Sequence, residues 1–187
     1  MWTLPDLPRT RTLHRIAVVT SGGDAPGMNA AVRAVVRSAA AHDIEAVGVD
    51  RGYTGLVEQR WRTLDVSAVG NILHRGGTVL KSDRSEAFRQ APVRATVERN
   101  LREAGIEALV VIGGDGSLTG ARCLTTETGF PVIGLPASID NDIVGTELTI
   151  GFDTAVNTGL EAIDRIRDTA HSHERVFLVE VMGRRSG

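Results

Sequence analysis

The 187-residue chain matches one domain, or one domain with a further segment, at about 150 residues per domain. Its 21 Lys and Arg against 23 Asp and Glu give a formal charge of −2, which leaves no basic excess to hold a nucleic-acid backbone or an anionic membrane. No apolar run approaches the roughly 20 residues of a membrane span, and the single cysteine, Cys123, excludes an internal disulfide framework and a cysteine-based zinc site.

A reducing compartment suits that cysteine usage, so the cytoplasm is the expected location. Residues 1–14 carry Pro5 and Pro8 and no periodicity; they read as a flexible leader, and without an apolar stretch they are not a secretory signal. Residues 15–187 then read as one α/β domain. Short β-branched runs at 16–20, 45–49, 109–112, 132–135 and 176–181 predict strands. Helical stretches at 29–41, 93–104, 117–126 and 154–169 separate most of them. In the second helix Val93, Val97 and Leu101 give one apolar face, and Gly105 is placed to end it. This alternation predicts a doubly wound, Rossmann-like, mainly parallel sheet with helices on both faces. Ligands in such sheets sit beyond the carboxyl ends of the strands, near a switch in strand order.

The residues that follow the predicted strands are those suited to chemistry. Gly22-Gly23-Asp24 leads from the first strand toward Gly27 and a helix, a strand-to-helix turn whose backbone N–H groups could cradle a phosphate or simply make a tight turn. It matches neither the P-loop nor the dinucleotide fingerprint. Gly113-Gly114-Asp115-Gly116-Ser117 repeats the arrangement with a carboxylate among the glycines, and an aspartate beside a bound polyphosphate offers a route to Mg²⁺. Ser138-Ile139-Asp140-Asn141-Asp142 sets two carboxylates two residues apart, either as general-base candidates or as an Asx turn. Arg75, Arg84, Arg89, Arg175 and Arg184 could clamp phosphates bidentately or lie solvated on the surface. His171 and His173 are read as helix-end residues for want of a third ligand, and Cys123 as packing.

In this order, TSGGDAPGMN, RGGTVLKSDR, VVIGGDGS, PASIDNDI, TIGFDTA and EAIDRIRDTAHSHERVFLVEVMGR resemble the N-terminal part of the ATP-dependent 6-phosphofructokinases, from about His14 to the last residue. The resemblance implies transfer of the ATP γ-phosphoryl to the 1-hydroxyl of fructose 6-phosphate in glycolysis, in an allosteric homotetramer. Carried over by motif, Gly23, Arg84, Ser85, Gly114, Gly116 and Ser117 would contact ATP, with Asp115 serving Mg²⁺. Asp140 would take the proton of the sugar hydroxyl, supported by Ser138 and Asp142. Ile139, Met182, Gly183 and Arg184 would belong to the sugar-phosphate site, Arg184 also serving catalysis, and Arg175 would reach the sugar phosphate of a neighbouring subunit.

Pyrophosphate-using relatives carry Asp where this chain has Gly116 and Lys where it has Ala137, so both positions favour ATP. The family's effector site uses basic residues that match Arg33 and Arg37, but Val66 stands where a third arginine is expected. Against the family's pattern the C-terminal half of the chain is missing, and with it part of the acceptor pocket, so weak or absent turnover is expected of the 187-residue polypeptide. Two alternatives stand beside this reading: a kinase of the NAD or diacylglycerol type, which shares the GGDG[ST] string, and a non-catalytic nucleotide-binding paralogue.

Overall fold

The computed structural model describes residues 13–183; most of the expected leader, and Arg184, lie outside the described residues. Five strands form one sheet: β1 (Arg15–Ser21), β2 (Glu45–Val49), β3 (Trp61–Leu64), β4 (Ala108–Gly113) and β5 (Val132–Pro136), in the order β3-β2-β1-β4-β5. All neighbours run parallel except β3, which is antiparallel to β2. From β1 the chain winds outward through β2 to β3 and then returns to place β4 on the other flank of β1. The switch in strand order therefore falls between β1 and β4, and their carboxyl ends open a crevice there.

Alternate residues of the central strands feed two cores, as the period-2 geometry of strands requires. On one face Ala17, Val19, Leu109 and Val111 pack with Tyr53 and Leu56 of α2 (Gly52–Val57), Val97 and Leu101 of α3 (Ala91–Glu103) and Leu124 of α4 (Asp115–Thr128). On the other, Val18, Val110 and Ile112 pack with Met28, Val32 and Val36 of α1 (Met28–Ala40). The last helix, α5 (Phe152–His173), has no buried residue, and Ile133 of β5 is 62 % exposed.

The doubly wound architecture matches the expectation, with two departures. Residues 176–181 form no strand: Val176 and Leu178 are fully or almost fully exposed, and no described residue pairs with them. A β-branched run becomes a strand only where a sheet edge supplies its hydrogen bonds, and neither edge of this sheet pairs with the run. Conversely α2, β3 and a 3₁₀ turn at Ala87–Arg89 were not legible. The α2 segment holds two glycines in six residues and is helical because Tyr53 and Leu56 are buried, so packing overrides propensity.

An ion pair between a buried arginine and an exposed glutamate ties α3 to α4. The guanidinium of Arg94, 7 % exposed as a residue, donates from Nε and Nη2 to Glu127 at 2.7 and 2.5 Å and from Nη1 to the Phe88 carbonyl at 2.8 Å. Hydrogen bonds from Arg94 hold the Glu127 carboxyl below its ordinary range. A carboxylate with a depressed folded-state pKa lends stability above its unfolded value, and that stability is lost as pH falls through the folded value. Thermal unfolding of the native chain and of Glu127→Gln should therefore differ most near neutrality, with the gap closing as pH falls below about 4.

Candidate active site

The sequence motifs meet at the switch point. β1 ends at Ser21 in register with Gly113 of β4, and Gly113 is in register with Pro136 of β5. The turn after β1, the elbow between β4 and α4 and the 138–142 loop after β5 therefore leave the same rim. Gly114 caps α4, and a methyl group placed on it would lie 3.8 Å from Ser138 Cβ and 3.9 Å from Ser138 Oγ. The aspartate-bearing elbow and the two-carboxylate loop are thus side by side.

Close packing builds the elbow. A Cβ at Gly113 would stand 2.5 Å from the Ser21 carbonyl oxygen and 2.8 Å from Ser117 Cβ, so only glycine lets the two strand ends and α4 approach this closely. Asp115 and Gly116 are the first residues of α4, two positions ahead of the expected start, so this carboxylate belongs to the first helical turn and not to a loop. Asp115 and Gly116 are exposed while Ser117 is buried. A Cβ at Gly116 or Gly23 would meet no atom within 4 Å. Of the cradle's glycines, Gly113 answers to packing, whereas Gly23 and Gly116 border open space.

The 138–142 loop is braced from within. Ser138 Oγ accepts the Asp140 N–H at 3.1 Å, and the Ser138 carbonyl accepts Thr149 Oγ1–H at 2.7 Å. Asn141, at a left-handed φ of 50°, donates to the Glu147 carbonyl at 3.0 Å and accepts the Thr149 N–H at 2.9 Å. Asn141 therefore serves the loop, between Asp140, half-buried, and Asp142, exposed. Ile139 is half-buried against the core around α1.

The 75–84 segment closes the other flank. Buried Asn29 donates to the carbonyls of Arg75 and Gly76 at 2.9 and 3.2 Å and accepts the Val79 N–H at 2.7 Å. Thr20 Oγ1 donates to the Lys81 carbonyl at 2.8 Å. These bonds hold the stretch leading to Arg84 and Ser85 against the end of β1. Arg84 is exposed and Ser85 half-buried. Arg89 lies 3.4 Å from Glu86 in a surface pair with both side chains more than three-quarters exposed. Arg175, Met182 and Gly183 follow α5 on exposed chain, Met182 at 87 %, so the structure does not gather them into a pocket. His171 and His173 sit in the last turn of α5, exposed, and Cys123 is half-buried.

Sequence reasoning missed Tyr53. Its ring stacks on Phe88 with centroids 4.0 Å apart, and its buried hydroxyl donates to the Ser117 carbonyl in the first turn of α4. Burial holds the Tyr53 phenol proton above the usual phenol range. No motif marks this residue; only the tertiary approach of α2 to α4 does. Tyr53→Phe, which removes the hydroxyl and leaves the stacked ring, should cost about 1 kcal/mol by chemical denaturation.

The donor set tests the fit of a metal. Among the described residues no group of three His, Cys, Asp or Glu could hold an ion. An ion bound at Asp115 would take its remaining ligands from phosphate and water, which is how Mg²⁺ is commonly held in phosphoryl-transfer sites.

A family model described as Phosphofructokinase matches residues 15–187. The chain is 59 % identical over 175 residues to "ATP-dependent 6-phosphofructokinase 1" of Thermus thermophilus, covering 94 % of this chain and 54 % of that protein. It is 58 % identical over 175 residues to an ATP-dependent 6-phosphofructokinase of Bacillus licheniformis, with the same coverage. The chain thus spans about half the length of the curated relatives it matches. The solved Saccharomyces cerevisiae phosphofructokinase is similar at a TM-score of 0.83 and 42 % identity, over 91 % of this chain and 26 % of that one. A pyrophosphate-dependent phosphofructokinase of Marinobacter aquaeolei shares the fold at a TM-score of 0.68 and 22 % identity, over 85 % of this chain and 43 % of that one.

Proposed function

The chain belongs to the phosphofructokinase family, and we propose that it carries the nucleotide and base parts of an ATP-dependent 6-phosphofructokinase, which moves the γ-phosphoryl of ATP to the 1-hydroxyl of fructose 6-phosphate. The observation that carries this reading is the contact of the 113–117 elbow with the 138–142 loop at the switch point. Phosphoryl transfer needs positioning, charge neutralisation and one base, and these two segments bring a glycine cradle, a carboxylate for a metal and a loop of carboxylates to one rim.

In this mechanism the triphosphate lies along Gly23, Gly114, Gly116 and Ser117, in the open space beside Gly23 and Gly116, with Arg84 and Ser85 on its other flank. Asp115 would hold Mg²⁺, which when bound neutralises phosphate charge. Asp140 takes the proton of the sugar 1-hydroxyl, and the Ser138 bond to its N–H fixes its backbone. Asp142 supports that site, and Ile139, Arg175, Met182, Gly183 and Arg184 are assigned to the sugar phosphate, Arg175 from a neighbouring subunit and Arg184 also to catalysis. ATP is favoured over pyrophosphate because Gly116 leaves room for the nucleotide and Ala137, fully buried, leaves no place for a lysine. Homo-oligomerisation and a cytoplasmic setting belong to the same proposal; among the described residues no helix is long and apolar enough to cross a membrane.

A single-turnover experiment with γ-labelled ATP and Mg²⁺ tests it. Label should pass to fructose 6-phosphate and to neither NAD nor diacylglycerol, with slow further turnover for the 187-residue chain alone. Transfer to NAD or diacylglycerol, or no saturable binding of MgATP, would overturn it.

A further inference from the structure

A second feature of the carboxyl rim is not used by this chemistry. Beyond β2, on the flank of the sheet away from β4, an open cleft of about 500 Å³ lies between the turns at 50–51 and 59–60, the start of β3 and the 79–81 segment. Its lining holds four cations, Arg51, Arg60, Arg62 and Lys81, with Trp61 as an apolar wall and Asp50 as its one acidic member. Lys81 is the only lysine of the chain.

The charges are incompletely matched. Asp50 lies 3.4 Å from Arg62 and Glu58 2.5 Å from Arg60, both on the surface, where such pairs are weak and exchange readily for another anion. Among the described residues Arg51 and Lys81 have no carboxylate partner. The backbone adds an independent sign. Arg51, Gln59 and Lys81 stand at φ of 65°, 57° and 59°, and together they are three of the seven non-glycine residues with positive φ among the described residues. Each comes from a different segment, and none is of the Asn or Asp type that tolerates this conformation best. Left-handed residues persist where the surroundings fix them, and they concentrate at ligand sites. Backbone bonds do the fixing: Asp50 N–H to the Arg60 carbonyl at 2.9 Å and Arg51 N–H to the Leu80 carbonyl at 2.8 Å.

We propose that this cleft is a binding site, separate from the nucleotide cradle, for a small organic phosphate whose apolar body rests on Trp61. Guanidinium forks suit phosphate oxygens and the lysine adds a compact charge, and the cleft's size is that of a small-molecule site.

Phenyl phosphate and citrate, titrated separately into the ¹⁵N-labelled chain, test this by NMR. Phenyl phosphate should move the backbone amides of Arg51, Gln59 and Lys81 and the Trp61 indole N–H together along one saturable curve. Arg51→Gln with Lys81→Gln should weaken that binding at least about tenfold. Glutamine is accommodated at both positions, since Gln59 already occupies the same backbone conformation. The amides of residues 113–117 should not follow the same curve, so failure of the cleft and failure of the phosphofructokinase reading are told apart. Binding of citrate alone, the absence of saturable shifts, or equal affinity in the double variant would overturn the proposal.

Discussion

Asp140→Asn should lower the single-turnover rate of phosphoryl transfer to fructose 6-phosphate by about 10²- to 10⁴-fold, the range supplied by a positioned general base. Asparagine keeps the size of the side chain, and the Ser138 Oγ bond to the backbone N–H of residue 140 does not depend on the carboxylate. The loop should therefore stay in place, and MgATP affinity should remain within about twofold, because the substitution removes an interaction made in the transition state and not one made with the nucleotide. Asp142→Asn should cost less, since the mechanism gives that carboxylate a supporting role. Rapid-quench measurement of labelled product separates the two effects. A rate in Asp140→Asn within tenfold of the native value would mean that another group accepts the proton.

The second large effect is expected at Gly113. Alanine there would press its methyl group to 2.5 Å from a backbone oxygen of the neighbouring strand and 2.8 Å from Ser117 Cβ. Neither is the loose end of a flexible side chain, so β1, β4 and α4 would have to part. Forced overpacking of this kind costs about 3 kcal/mol at the upper end of its usual range, or roughly 6–12 °C in Tm for a chain of this size. MgATP affinity should fall with it, because the elbow also carries Asp115.

Gly116→Ala makes the contrast. No atom stands within 4 Å of the added methyl group, and alanine favours the first turn of α4. Tm should hold or rise while MgATP affinity falls, since the methyl group would enter the space assigned to the triphosphate. Calorimetric scans and nucleotide titrations of both variants check this. Unchanged nucleotide affinity in Gly116→Ala would place the triphosphate elsewhere.

Much of this molecule could be read from local pattern. The β-branched runs of β1, β2 and β4 fix buried parallel strands because such residues fit a sheet covered on both faces, and the run at 132–135 adds the parallel edge strand β5. Gly105 ends α3 at a φ of 70°, as its position predicts. The glycine and aspartate clusters fall at strand exits, so their common rim follows once the strands are parallel. Other features were set at a distance. The run at 176–181 has the composition of a strand, yet pairing needs a sheet edge seated against it, and among the described residues neither edge strand, β3 or β5, pairs with it. Tyr53 reaches Ser117 across 64 residues of sequence, and the cationic cleft gathers three turns that no spacing rule connects. Propensity and periodicity act within a few residues, so by itself the sequence determined the chemical inventory and the types of the strongly patterned elements β1, β2, β4, β5, α1, α3, α4 and α5. Which glycines pack and which stand open, and which charges share a pocket, was decided only by packing between segments far apart in the chain, whose energies arise once the sheet has closed.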